Sequence, residues 1–93
     1  MTINLSFDWK TYSWVKRGNR RIKVLQHLAK SSKPLTATDV KKVQQVDITQ
    51  TAFTLNELLK KGLVDCFNPE DHHGKLYVIN KKGKQILSKI HKD

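Results

Sequence analysis

Apolar residues recur at intervals of three and four through the first third of the chain, where Val15, Gly18, Ile22, Leu25 and Ala29 share one face of a 3.6-residue helix. The spacing predicts a leading helix near 7–17 and a core helix over 19–30. The Gly18-Asn19 pair is expected to end the first and cap the second, since glycine takes left-handed C-terminal geometry and asparagine accepts an orphan N–H. Pro34 stops the core helix, because it cannot continue the hydrogen-bond ladder and disfavours helix in the residue before it. Leu35 suits a very short strand. Thr36 or Thr38 is expected to open a second helix ending near Gln45, Thr36 with Asp39 three residues on resembling a capping box, with Val40 and Val43 as its narrow apolar stripe. Val46 and Asp47 make a short turn. Thr49 is the expected N-cap of a third helix, with Ile48, Ala52, Leu55, Leu58 and Leu59 facing inward and Gly62 at its end.

Beyond Gly62 the pattern turns strand-like. The runs Leu63 to Phe67 and Lys75 to Ile79 flank the turn formers Asn68 to Gly74, which predicts a hairpin with a polar, extended tip. Asn80 then caps a last helix with Ile86, Leu87 and Ile90 on one face. The expected fold class is α+β, mostly helical: a winged helix-turn-helix with a three-helix core, a β-hairpin wing and extra N- and C-terminal helices. Residues 1–18 form the N-terminal helical extension, 19–80 the winged helix-turn-helix and 81–93 the C-terminal helix.

Composition narrows the function. At 93 residues the chain is one small domain. It buries only about 60 to 65% of the surface exposed by the unfolded chain, so a deep substrate cleft is not expected. There is no glycine-rich phosphate loop, no ligand set for a catalytic metal and no nucleophile paired with a base, so neither enzyme activity nor a cofactor is expected. The single cysteine excludes an internal disulfide framework. Alternation with Val64 puts Cys66 on the apolar face as a small hydrophobe. His72 and His73, beside Asp71 and Glu70, lack the spacing that gathers metal ligands, so they read as wing-tip residues and the metal expectation is none. The longest unbroken aliphatic or aromatic run, Leu76 to Ile79, is far below the roughly 18 residues of a membrane span, and no signal peptide pattern opens the chain. The expectation is a soluble, cytoplasmic, nucleoid-associated protein with no membrane partner.

Charge sharpens this further. Lys and Arg number 18 against 8 Asp and Glu, a net +10, which points to a polyanionic partner. Eight cations and no acid lie between Asp8 and Asp39, and six cations and no acid between Asp71 and Asp93. The middle, Asp39 to Asp71, holds four cations and six acids. The predicted third helix therefore has no cation before Lys60. On it Gln50, Phe53, Thr54 and Glu57 are expected to point outward, with Thr51 near the boundary. Gln50, Thr51, Phe53 and Thr54 are the candidate base readers, since glutamine pairs with adenine while threonine and phenylalanine touch the thymine methyl. Backbone phosphates fall to Arg20, Arg21, Lys33, Thr49, Lys60, His72, His73, Lys75, Lys81 and Lys82. Lys81, Lys82 and Lys84 crowd the first turn of the last helix, where the macrodipole disfavours cations unless an anion is present.

The run RRIKVLQHL (Arg20 to Leu28), Pro34-Leu35-Thr36, Glu57-Leu58 with Gly62-Leu63-Val64, Cys66-Phe67-Asn68-Pro69-Glu70, and Gly74-Lys75-Leu76-Tyr77 closing on Lys82-Gly83 together resemble archaeal winged-helix transcriptional regulators related to the MarR and ArsR groups. The resemblance covers roughly 19–87. It implies double-stranded DNA binding as a homodimer, with the third helix in the major groove and the wing on the minor groove or backbone. Ala52 and Phe53 stand where members often carry Ser then Arg or Lys, and Asn80 and Lys81 where many carry Thr and an acid. Trp9, Tyr12 and Trp14 are expected to form a dimer seam, together with Ile86 and Ile90, or a lid on the core, rather than to stack on nucleic acid. The alternative is an architectural DNA-binding protein with little sequence preference. No small-molecule effector is indicated.

Overall fold

The structure is a computed structural model and describes residues 7–44 and 46–92. Five helices and one hairpin follow in the order α1 (Trp9–Lys16), α2 (Asn19–Lys30), α3 (Ala37–Gln44), α4 (Ile48–Lys60), β1 (Val64–Cys66), β2 (Tyr77–Ile79) and α5 (Lys81–Lys92). The fold class is the one the patterning predicts, a mostly helical winged helix-turn-helix with a helix added at each end.

Side chains that satisfy orphan backbone groups set most of the boundaries. Asp8 caps α1, accepting the Thr11 N–H at 3.0 Å and the Thr11 hydroxyl at 2.6 Å. The Thr36/Asp39 capping box is present: the Thr36 N–H donates to the Asp39 carboxylate at 3.0 Å, and the Asp39 N–H to the Thr36 hydroxyl at 3.1 Å. These bonds, the backbone one foremost, hold the Asp39 carboxyl below the usual carboxylate range. Leu63 N–H reaches back to Leu58 and Gly62 N–H to Leu59, a Schellman closure of α4 that requires the left-handed φ of +75° at Gly62.

Two expected caps are corrected. Gly18 is the N-cap of α2 with φ −112°, so it uses no left-handed geometry, and Asn19 is already helical and caps nothing. Asp47, not Thr49, caps α4, accepting the Thr49 N–H at 3.1 Å. A carboxylate on a residue of extended backbone reaches the first-turn donors, whereas Thr49 is one turn position too late. The expected end of the second helix at Gln45 lies outside the described residues.

β1 and β2 pair antiparallel with Val64 opposite Ile79 and Cys66 opposite Tyr77. Leu35 adds an isolated bridge to Tyr77, with both N–H···O bonds formed at 3.0 and 2.8 Å, so the expected short strand closes the wing's inner edge. One core unites all elements, with Val15, Val24, Leu25, Val40, Leu55, Leu58, Leu63 and Ile86 all essentially inaccessible. Val43 is 62% exposed, and Ile48 and Ala52 are also exposed, all three against expectation. The inward face of α4 is rotated toward Thr51 and Thr54. Asn80 ties three elements: its carbonyl accepts the Gly83 N–H, capping α5, while its amide donates to the Gly62 carbonyl and to Asp65. Gly83 lies against the Leu63 carbonyl, too close to admit a Cβ.

Candidate nucleic-acid interface

The outer face of α4 is set by which of its polar residues are spent inside. Thr51 is fully buried and Thr54 is 3% exposed. Their hydroxyls donate to the carbonyls of Asp47 and Gln50, four residues back, at 3.1 and 3.0 Å. A threonine so bonded packs like valine, and neither is placed to read a base; both expectations are corrected. Thr49, Gln50, Ala52, Phe53, Asn56 and Lys60 remain exposed, with Phe53 at 63%. They form one stripe at spacings of three and four. Ala52 and Asn56 were missed because the predicted phase of α4 was off by a fraction of a turn. The pair Thr51/Thr54 was the available signal, since threonines at a three-residue interval can join a buried stripe. The stripe offers an amide pair able to bond adenine and two apolar groups suited to a thymine methyl.

Cations border it. Arg17, Arg20 and Arg21, at the α1–α2 junction, line a shallow hollow with Phe53 and Glu57 of α4. Arg17 and Arg20 are exposed. Arg21 is committed: its Nη1 donates to the Trp14 carbonyl at 2.6 Å and its guanidinium lies 4.0 Å from the Trp14 ring centroid. Lys61 also faces that ring at 5.2 Å. Arg17 and Lys61 join the candidate set on position, a placement that only the folding back of α1 onto α2 reveals. Lys33 is exposed at the mouth of α3, its backbone held by Ser31.

The wing tip is organised by Asn68. Its carbonyl accepts the Leu76 N–H at 2.7 Å, and its amide donates to Asp71 and to the Gly74 carbonyl. His72 and His73 are exposed on this braced loop, and Lys75 is half-buried at its base. Among the described residues, no three His, Cys, Asp or Glu side chains gather as a metal site. No described helix is long and apolar enough to cross a membrane.

On α5, Lys81 is exposed, but Lys82 is paired with Asp8 at 2.9 Å. The anion needed beside this lysine-rich helix start is thus supplied from within, and Lys82 is not a free phosphate donor as expected. Bonds from Thr11, then Lys82, hold the Asp8 carboxyl far below the ordinary carboxylate range.

The expected dimer seam does not form one surface. Trp9 is 47% exposed and packs edge-on with Phe7 and Tyr12 at 4.6 and 5.6 Å. Trp14 instead sits with Arg21 and Lys61. Ile86 is 1% exposed, so it belongs to the core and cannot face a partner, and Ile90 packs partly against that core. Isoleucines on the apolar face of a short terminal helix are needed to hold it to its own domain before any is left for a neighbour.

No protein-family model and no curated protein matches the chain. Among solved structures, wild-type MarR from E. coli in its apo form aligns with a TM-score of 0.70 and 25% identity over 99% of this chain and 77% of that one. A mutant MarR from E. coli complexed with operator DNA aligns with a TM-score of 0.72 and 27% identity over 89% of this chain and 59% of that one. A MarR family protein from Bacillus stearothermophilus gives 0.70 and 16% identity over 90% of this chain and 64% of that one. The chain has the winged-helix fold of these MarR-family regulators.

Proposed function

We propose that this chain is a sequence-specific transcription regulator that binds double-stranded DNA, with α4 in the major groove and the wing on the minor groove or backbone. The observation that carries the reading is the outer face of α4: six exposed residues, uncharged until Lys60, bordered by exposed Arg17, Arg20 and Lys61. Bases are read by Gln50, Ala52, Phe53 and Asn56. Phosphates are held by Arg17, Arg20, Lys33, Lys60, Lys61 and Lys75, with Thr49, His72 and His73 at the edges. The E. coli MarR mutant that shares this fold is complexed with operator DNA, which supports the same ligand class here.

Residues 19–80 are the DNA-binding unit, with 1–18 and 81–93 as its flanking extensions. Two copies meeting near Trp9 and Tyr12 would set two α4 helices about one DNA turn apart on a palindromic site. Such a protein acts in the cytoplasm, on the nucleoid. Selection of bound duplexes from a random pool, followed by titration on the winner and a scrambled control, tests the reading. A palindromic consensus bound well above the control supports it; equal affinities would instead identify an architectural protein.

A further inference from the structure

The solvent face of α5 is a second cationic surface on a helix other than the reading one. Lys81, Lys84, Gln85, Ser88 and Lys92 are exposed and fall on one stripe, opposite the buried Gly83, Ile86 and Leu87. The 12 residues from Lys81 to Lys92 span about 17 Å, over which one DNA strand presents about five phosphates. The helix has no acidic residue. Asp8, which shares a neighbouring hollow with Lys81 and Gln85, is engaged by Lys82 and Thr11. Among the described residues, no ion pair or side-chain hydrogen bond occupies Lys81, Lys84 or Lys92. α4 packs chiefly on α3 and α5 chiefly on α2, rather than on each other, so their outer faces leave the core from separate helices.

We infer that this stripe holds the phosphate backbone of a second DNA duplex, so that the protein bridges two DNA segments; the inference rests on the DNA-binding reading of α4. Charge complementarity selects the occupant. A second copy would set lysines against lysines. A protein partner would need a large apolar anchor to desolvate, and the stripe is Lys, Lys, Gln, Ser and Lys. Phe7 borders it, but that ring is half-buried against Trp9 and Tyr12. Ammonium, amide and hydroxyl donors in a row without an apolar centre match a phosphate backbone.

The test compares wild type with Lys84→Gln/Lys92→Gln in two assays: anisotropy on a single short duplex, and capture of a labelled duplex by protein loaded on an immobilised one. Wild type is expected to capture. The double variant should keep its single-duplex affinity within about threefold, lose capture about tenfold or more, and lower the salt slope of capture by about 2. Wild type that binds one duplex but captures no second overturns the inference and leaves the α4 reading intact. Equal losses in both assays also overturn it, by placing the stripe on the same duplex. So does binding of a polyglutamate peptide through the stripe in the absence of capture, which would make it a protein-docking surface. Wild type that binds no duplex overturns both readings.

Discussion

The Lys82 ammonium lies 2.9 Å from the Asp8 carboxylate, joining the first turn of α5 to the residue that caps α1. That carboxylate is held deprotonated more firmly in the folded chain than in the unfolded one, first by Thr11 and then by Lys82. Its stabilising effect is therefore complete above the ordinary value of 3.8 and drains away as pH falls below it toward the folded value. Asp39, also lowered, acts in the same direction. Thermal melts followed by circular dichroism should show Asp8→Asn less stable than wild type at neutral pH, with the gap narrowing on acidification from about pH 4 to pH 2.

Two glycines predict unequal costs for the same methyl group. At Gly83 a Cβ would strike the Leu63 carbonyl and approach Ile79, so α5 must lift from the α4–β1 joint. Gly83→Ala should cost about 3 kcal/mol or more in urea unfolding. Gly74 has open space around it and a φ of +67°, so Gly74→Ala pays only for backbone geometry, about 1 kcal/mol.

The inward threonines and the outward amides of α4 should separate stability from recognition. Thr54→Val replaces a hydroxyl bonded only to its own helix, and should leave DNA affinity unchanged and stability within about 1 kcal/mol. Gln50→Ala and Asn56→Ala should leave the melting temperature unchanged. Each should weaken binding to the selected duplex by about 1 to 3 kcal/mol, while the scrambled control barely responds.

Asn68 braces the wing through the Leu76 N–H, Asp71 and the Gly74 carbonyl. Asn68→Ala should speed hydrogen exchange at the Leu76 amide and leave α2 exchange unaltered, because the core is not touched. DNA affinity should fall if His72 and His73 rest on the duplex; anisotropy on the selected site reads this directly.

Salt provides a further check on the flanking cations. With six or more phosphates held, affinity should drop by roughly a thousandfold between 50 and 200 mM salt. Arg20→Gln should reduce the slope of log affinity against log salt by about 1.

Where local chemistry decided a boundary, the sequence was readable. The Thr36/Asp39 box, the Gly62 terminator and the Asn80 cap were all visible as residue types at fixed offsets, whereas α2 spans the expected 19–30 without the Gly18-Asn19 cap chemistry expected for it. Helical phase was less so. Thr51 and Thr54 look polar in a string of letters, and only the return of their hydroxyls to Asp47 and Gln50 makes them core residues. Long-range pairs were not readable at all. Nothing in the order of residues joins Lys82 to Asp8 or Arg21 to Trp14, so these two looked as available as any other cation although both are engaged.

The self-contained bonding of Thr51 and Thr54 carries a last implication. Because α4 is anchored from beneath by Thr51, Thr54, Leu55 and Leu58, the exposed residues at 49, 50, 52 and 56 carry little of its packing. Mutations can accumulate there at little thermodynamic penalty. A duplicated copy of this gene could drift to a new target site by a few substitutions, its scaffold inherited intact.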